Sequence, residues 1–550
     1  MKKLFKFAPI LIFMTLTACT QKEKADLIIT NATVYTVDDN FSIARAIAVS
    51  DGKITAVGTT EEVLQHFSSE TILDLENRPV FPGFIDAHCH FLGYGTGLLT
   101  RADLTGTKSF DEILEIMKTH QEKFPSAFWL EGRGWDQNDW TEKIFPTNVK
   151  LNELFPDHPV LLTRIDGHAA IVNQKALELA GISTETSVEG GEIVQLNGEL
   201  TGVLIDNAID LVRGVIPHPD KEQIAEALLA AQEKCFAAGL TGVHDAGLEK
   251  NELEVIESLY HSGQLKMRIN AMLLPSDENL ETYMNKGITK TDHLTIRSIK
   301  LFSDGALGSR GAKLIKDYSD DPGNSGLLLR SPESLAEYCK KAYDKGFQVC
   351  THAIGDSANR LMLKIYGDIL KGKNDLRWRI EHAQIVSPED FEKFGSYSVV
   401  PSVQPTHATS DMYWAHERVG AERIKGAYAY QVLMQQNGWI PLGTDFPIED
   451  ISPVKTFYAA VARKDLKGWP SGGFQPENAL SRTDALRGMT KWAAKASFEE
   501  NEKGSIEPGK FADFTVLDRD IMVVPEAEIP SSRVVMTFIG GEQVFSALDQ

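Results

Sequence analysis

The sequence is poor in cysteine, and its cysteines are widely separated. Only five occur in 550 residues. After Cys19 they form neither a CxxC pair nor a dense framework, at Cys89, Cys235, Cys339 and Cys350. An oxidising compartment would permit disulfides, but this pattern does not require them. We therefore expect four free thiols, most of them buried.

Positive charge is also scarce. The chain has 56 basic and 77 acidic residues, which gives a net charge of −21. Such a surface repels phosphate backbones, so we expect no nucleic-acid partner. The hydrophobic content of 42% and charged content of 24% exclude a disordered or fibrous chain. The oligomeric state is left open, with a homo-oligomer as one alternative.

The N-terminus has the pattern of an export signal. A lysine-bearing start is followed by an apolar run, Phe7 to Leu16, that is too short to span a membrane. The next residues, Leu16 to Cys19, resemble a bacterial lipobox. This resemblance implies that residues 1–18 are removed and that Cys19 is lipidated, which anchors the protein to a membrane on the periplasmic or cell-surface side. The alternative is an uncleaved hydrophobic start.

Both ends of the remaining chain are rich in short strand-like runs. Residues 26–78 contain several such runs with Asp-Gly turns, and residues 512–539 contain two more. We predict one small β-sandwich domain, built from residues 19–80 and 501–550. The alternative is two independent β segments.

The middle of the chain alternates short apolar runs with helix-length stretches, which predicts parallel βαβ units. Eight runs can be counted, at residues 84–90, 242–247, 268–274, 296–302, 348–354, 379–384, 399–405 and 440–447. Eight units predict an α/β fold with a closed TIM-like (β/α)₈ barrel over residues 81–500. The excess of residues 91–241 predicts a large insertion after the first barrel strand, with strands near 129–132 and 160–164.

Candidate metal ligands follow several of these predicted strands. His88 and His90 lie two apart, so in a strand both would face the barrel interior. Paired imidazoles there would make half of a metal site. His352, His382 and Asp445 end the fifth, sixth and eighth predicted strands. Because catalytic residues of such barrels lie at the carboxyl ends of the strands, these five side chains are expected to converge.

This pattern resembles the amidohydrolase superfamily, and more closely its YtcJ-like branch, which includes N-substituted formamide deformylases. The resemblance covers essentially everything after Cys19. The segments that carry it are Trp129 to Trp135, Asp166 to Ala170, Ile299 to Ser309, Thr351 to Asp356 and Gly443 to Pro447.

The resemblance implies a divalent metal site of one or two ions. His88, His90, Lys300 and Asp445 would serve one metal, and Lys300, His352 and His382 the other. Lys300 would be carboxylated, because a free ammonium beside a dication is repelled; the alternative is an unmodified Lys300 paired with Asp304. Zinc is the first candidate, with iron, manganese and cobalt left open.

Further polar residues in the insertion and loops are candidates for substrate contact or, equally, for structural hydrogen bonds. The candidates are Arg164, Asp166, His168, Asp304, Arg310, His407 and Asp411.

We expect hydrolysis of a small amide-like molecule at a non-peptide C–N bond through a metal-bound hydroxide, with Asp445 as the catalytic base. Alternatives are an ester or other hydrolase, or a deaminase, with the same site. The remaining alternative is a non-catalytic lipoprotein that binds a metal or a ligand.

The lipobox yields a prediction about location. Cys19→Ser should release the protein from membranes and leave its activity intact, since the anchor is separate from the barrel. Cell fractionation checks this, with Thr20→Ser as the matched control that should stay membrane-bound. Unchanged membrane association of Cys19→Ser would contradict the anchoring hypothesis.

Overall fold

The computed structural model describes residues 22–125 and 127–548. The predicted signal peptide and Cys19 lie outside the described residues. The strands, in chain order, are β1 (Glu23–Lys24), β2 (Leu27–Thr30), β3 (Thr33–Tyr35), β4 (Ile43–Ala44), β5 (Ala46–Ser50), β6 (Lys53–Gly58), β7 (Phe67–Ser68), β8 (Ile72–Asp74), β9 (Pro79–Pro82), β10 (Phe84–Cys89), β11 (Arg101–Asp103), β12 (Leu130–Trp135), β13 (Val160–Arg164), β14 (Ala169–Val172), β15 (Gly191–Leu196), β16 (Glu199–Asp206), β17 (Leu240–Leu248), β18 (Arg268–Leu273), β19 (Thr289–Lys290), β20 (Leu294–Phe302), β21 (Gln348–Ala353), β22 (Arg379–His382), β23 (Val400–Ser402), β24 (Phe514–Leu517), β25 (Val534–Ile539) and β26 (Glu542–Ser546).

The α-helices, in chain order, are α1 (Thr60–His66), α2 (Phe91–Thr100), α3 (Phe110–Lys123), α4 (Val149–Leu154), α5 (Gln174–Leu179), α6 (Asn207–Arg213), α7 (Lys221–Ala237), α8 (Lys250–His261), α9 (Asp277–Asn279), α10 (Pro332–Lys345), α11 (Asp356–Leu370), α12 (Phe391–Ser396), α13 (Pro405–Asp411), α14 (Ala415–Arg423), α15 (Tyr430–Asn437), α16 (Pro453–Ala462), α17 (Arg482–Gly488) and α18 (Lys491–Ala496). Across the described part of the chain, every helix is too short or too polar to traverse a lipid bilayer.

Local sequence signals explain where these helices start and stop. At α10 the Ser331 hydroxyl accepts the backbone N–H of Ser334, and Pro332 occupies the first turn, where its missing N–H costs nothing. Gly346, with φ of 71°, ends the helix in the left-handed conformation that glycine adopts freely. The helix is thereby fixed between β20 and β21 of the barrel.

Seven parallel strands form most of a barrel, in the order β10, β17, β18, β20, β21, β22, β23, and β19 pairs antiparallel with β20. The predicted eighth strand is not a regular strand, but its backbone hydrogen-bonds on both sides. Gly443 donates to Val403 at 3.0 Å, and the oxygen of Leu442 accepts from Ala87 at 3.1 Å. The segment 440–447 thus fills the gap between β23 and β10, and the TIM-like barrel is nearly closed.

The irregularity of this segment has a local cause. Pro441 has no backbone N–H to offer a neighbouring strand. Asp445 has φ of 63°, in the left-handed region, which interrupts the alternation of a strand. The apolar pattern correctly located the segment in the barrel wall but wrongly predicted its conformation.

Strands from both ends of the chain share one sheet, ordered β26, β25, β24, β9, β3, β4. A second sheet has the order β6, β5, β2, β8. Side chains from both sheets, such as Ile29 and Val49 with Phe514 and Phe538, lie in one buried cluster. The domain boundaries at residues 80 and 500 stay predictions.

Between β10 and β17 the chain forms a separate six-stranded sheet, ordered β11, β12, β13, β14, β16, β15. Its buried cluster includes Met117, Trp135, Leu162 and Ile171. Strand β13 has the predicted bounds, and β12 begins one residue later than predicted and ends at Trp135. The four cysteines of the described residues are free and buried, as predicted.

Candidate metal centre and active-site cavity

A cavity of about 480 Å³ lies at the carboxyl ends of the barrel strands. The barrel contributes His90, Lys300, His352, His382 and Asp445 to its wall. The inserted sheet and its loops contribute Arg164, Asp166 and His168 from the opposite side. The insertion therefore covers the barrel mouth, where a small molecule would be enclosed between the two parts.

Three predicted ligands converge most closely. His88, His382 and Asp445 each place one ligand atom within 4.8 Å of the others, and all three residues are buried. His88 lies inside β10, and His382 is the last residue of β22. The Oδ1 atom of Asp445 is buried and accepts no hydrogen bond from the described residues. A buried carboxylate oxygen facing two imidazoles is a donor set that suits a divalent cation.

His90, Lys300 and His352 adjoin this trio. His90 lies one residue beyond β10, yet its Nε2 is 3.4 Å from Asp445 Oδ1. The Lys300 Nζ is 3.4 Å from His88 Nε2. The rings of His352 and His382 have centroids 4.6 Å apart. All six predicted metal ligands are thus brought to one mouth of the barrel.

Lys300 is buried and forms no ion pair with a carboxylate in the part of the chain described. Asp304, its alternative partner, has its carboxylate occupied by the backbone N–H groups of Lys313, Ile354 and Gly355, at 2.8 to 3.0 Å. The geometry therefore gives no support to a Lys300–Asp304 pair.

The protonation states suit metal binding. Burial, with the nearby charge of Lys300, lowers the pKa of His88 to about 4. Burial also holds the pKa values of His352 and His382 well below the ordinary value. Burial opposes ionisation of Asp445, but its histidine neighbours outweigh this and lower its pKa. Neutral imidazoles and an ionised carboxylate are the forms that coordinate metals.

Residues that the sequence did not single out hold these ligands in place. The His88 Nδ1 atom lies 2.7 Å from Glu381 Oε2, which also accepts a hydrogen bond from Arg379 at 3.1 Å. The Nδ1 atom of His382 lies 2.8 Å from the side-chain oxygen of Gln404. Each contact occupies Nδ1 and leaves Nε2 for the cavity, which is how the partners of metal-binding histidines commonly act.

Five of the seven predicted substrate-contact residues line the cavity, namely Arg164, Asp166, His168, His407 and Asp411. Asp304 and Arg310 do not. Asp304 organises the loops after β20 and β21 through its backbone hydrogen bonds, and Arg310 pairs with Asp320 at 2.9 Å. The neighbouring sequence motifs could not distinguish the five residues that line the cavity from the two that do not.

The cavity-lining candidates differ in how firmly they are held. Arg164 pairs with Asp166 at 2.6 Å, and His168 Nδ1 lies 2.6 Å from Asp206. His407 is freer: its Nε2 is 3.7 Å from Asp445 Oδ2. Asp411 accepts the Tyr428 hydroxyl at 2.8 Å, and burial raises its pKa to about 7.

A parallel α/β barrel with histidines, a buried lysine and an aspartate at its carboxyl end has the architecture of a metal-dependent hydrolase. A family model described as the amidohydrolase family matches residues 71–545. The chain therefore belongs to the amidohydrolase family.

Similar proteins support the predicted branch. The chain is 33% identical to an amidohydrolase designated YtcJ of Bacillus subtilis, over 93% of this chain and 98% of that protein. It is 34% identical to LONG AFTER FAR-RED 3 of Arabidopsis thaliana, over 95% and 92%. The N-substituted formamide deformylase of Arthrobacter pascens is 28% identical, over 94% and 97%. The predicted resemblance is thus confirmed.

A solved structure also resembles this chain over most of its length. The crystal structure of an uncharacterized metal-dependent hydrolase from Pyrococcus horikoshii matches with a TM-score of 0.75 and 32% identity, over 91% of this chain and 99% of that one. The fold and family support a hydrolase that uses a divalent metal.

Proposed function

We propose that this protein is an exported, lipid-anchored amidohydrolase that cleaves a non-peptide C–N bond in a small amide-like molecule. The observation that carries the proposal is the buried Asp445 oxygen, which faces His88 and His382 and accepts no hydrogen bond from the described residues. One water is consumed: its oxygen joins the carbonyl carbon, the C–N bond breaks, and the nitrogen leaves with a proton. The products are a carboxylic acid and an amine.

The same residues account for metal binding. His88, His90, Lys300 and Asp445 would hold one ion, and Lys300, His352 and His382 a second. Zinc fits this mixture of imidazole and carboxylate ligands. When bound, a divalent ion would lower the pKa of water towards about 7 and polarise the substrate carbonyl, which makes hydroxide available near neutral pH.

Asp445 is positioned to move the proton. Its carboxylate lies between His90 Nε2, at 3.4 Å, and His407 Nε2, at 3.7 Å. An ionised carboxylate at the base of the cavity can accept a proton from the attacking water and return it to the leaving nitrogen. His407 and His168, which face the same cavity, would orient the carbonyl group.

The amide class is supported by a relative, since the similar protein from Arthrobacter pascens is named an N-substituted formamide deformylase. We expect metal-dependent hydrolysis of N-formyl and N-acyl amines, lost on treatment with a chelator and restored by Zn²⁺. Amine release, measured alongside metal content, checks this. Turnover confined to esters or amino-substituted rings would contradict the amide assignment. No turnover despite metal binding would favour a ligand-binding role.

Lys300→Ala should lose metal and activity, and short carboxylic acids should partly restore both. The lysine is buried beside His88 and has no carboxylate partner among the residues that the structure describes. A carbamate formed with CO₂ would supply the anionic oxygens that two metals need. Added acetate can occupy the space left by the side chain. Elemental analysis and turnover with and without acetate are the measurements. The control is Lys364→Ala on an exposed surface pair. Full activity in Lys300→Ala would remove the bridging role.

Asp445→Asn should retain the fold and the metal held by His352 and His382, yet lose catalysis. The amide keeps the shape but cannot take a proton from water, and general-base losses are about 10²- to 10⁴-fold. Turnover is compared at equal, measured metal content, with the exposed Asp368→Asn as control. A metal-loaded Asp445→Asn protein within tenfold of wild type would show that Asp445 is only a ligand.

A further inference from the structure

A second cavity of about 830 Å³ adjoins the first. The two cavities share the wall residues His90, Asp166, His168, Phe302, Pro447 and Ile448. A molecule whose reacting bond lies at the metal centre could therefore extend a substituent into this second cavity. The residues that line the second cavity would therefore restrict which substituent the substrate can carry.

The second cavity is lined by four arginines, Arg101, Arg133, Arg213 and Arg330. Its three acidic residues already have partners. Asp166 pairs with Arg164, Asp206 with His168, and Asp210 with Arg213. Since these acids are engaged, positive charge remains available to a ligand.

Two of the four arginines, Arg133 and Arg330, form no ion pair within the described ranges, whereas Arg101 lies 3.1 Å from Glu131 and Arg213 lies 3.4 Å from Asp210. Arg330 lies over the ring of Tyr338, 5.4 Å from its centroid. The Nε of Arg133 is buried and has no hydrogen-bond partner in the described part of the chain. Burial and the charges of Arg101 and Arg213 lower its pKa to about 10. A partly buried guanidinium without an acidic partner is stabilised when a ligand supplies the opposite charge.

The guanidinium of Arg133 is close to the reaction centre. It donates to the backbone oxygen of Ile165 at 2.9 Å and lies against Gly167, in the loop that carries His168. The ring of His168 is in turn 5.0 Å from that of His352. A substrate that occupied both cavities would therefore lie between the metal ligands and Arg133.

We propose that Arg133 binds a carboxylate group of the substrate, so that the protein acts on amides that also carry a carboxylate. This inference rests on the proposed amidohydrolase function. The planar fork of a guanidinium matches a carboxylate. A monoanion is favoured over a dianion such as a phosphate ester because the whole protein carries a net charge of −21.

Matched substrates test the inference. N-formyl- and N-acetyl-phenylalanine are compared with N-formyl- and N-acetyl-phenethylamine, which lack only the carboxylate. The wild type should prefer the acids. In Arg133→Met, kcat/KM for the acids should fall about 10- to 100-fold, mainly through KM, since a charged hydrogen bond is lost. Hydrolysis of the neutral amides should fall by a smaller factor than that of the acids, and every rate in the exposed control Arg519→Met should change less than about twofold.

A binding measurement distinguishes failure of the proposed hydrolase function from failure of the proposed carboxylate site. Calorimetry with 3-phenylpropanoate and its neutral amide should show binding of the acid alone, lost in Arg133→Met. If no amide is hydrolysed by metal-loaded protein but this binding is seen, the proposed function fails and the carboxylate site stands. Equal use of acids and neutral amides by the wild type, or equal losses for both in Arg133→Met, would overturn the inference. If Arg133→Met does not fold, the wild-type comparisons decide.

Discussion

The metal centre depends on one buried ion pair inside the barrel, between Arg379 and Glu381. Both side chains are fully buried, and their closest atoms, Nε and Oε1, are 2.7 Å apart. Glu381 fixes His88, and Arg379 reaches Ser402 at 2.8 Å and His244 Nδ1 at 3.0 Å. The side-chain contacts of this one ion pair thereby connect four barrel strands, β10, β17, β22 and β23. Buried charges are costly unless such partners complete them, so loss of either would both destabilise the barrel and release His88.

The barrel and the insertion contribute different residues to the site. The barrel strands hold the candidate metal ligands on rigid elements, while the insertion brings Arg164, Asp166 and His168 to the opposite wall of the active-site cavity. The ring of His168 lies 5.0 Å from that of His352, where the two parts meet. Substrate preference can therefore change through the insertion without disturbing the metal ligands, as expected of barrels whose loops carry specificity.

Much of the architecture could be predicted because buried parallel strands are short, apolar runs with distinct ends. The run at 348–354, for example, lies within one residue of β21. Glu381 was missed because its contact with His88 joins residues 293 positions apart. Strand alternation would also place adjacent Glu381 and His382 on opposite faces. The positive φ of His382, 72°, breaks that alternation and lets both side chains serve the site. The role proposed for Arg133 could not be predicted for a related reason, since it rests on the absence of an acidic partner among the described residues.

The contacts that make the eighth segment irregular are the same contacts that position Asp445 in the site. Asp86 accepts the Thr444 hydroxyl at 2.7 Å and the backbone N–H of His88 at 3.0 Å, so one buried carboxylate joins the two segments that carry His88 and Asp445. Asp445 also donates its backbone N–H to the oxygen of His88 at 2.8 Å. These contacts hold Asp445 in a left-handed conformation that a non-glycine residue adopts only under constraint. Departure from regular strand geometry thus directs the carboxylate at His88 and His382, which a standard pleat at this position would not do.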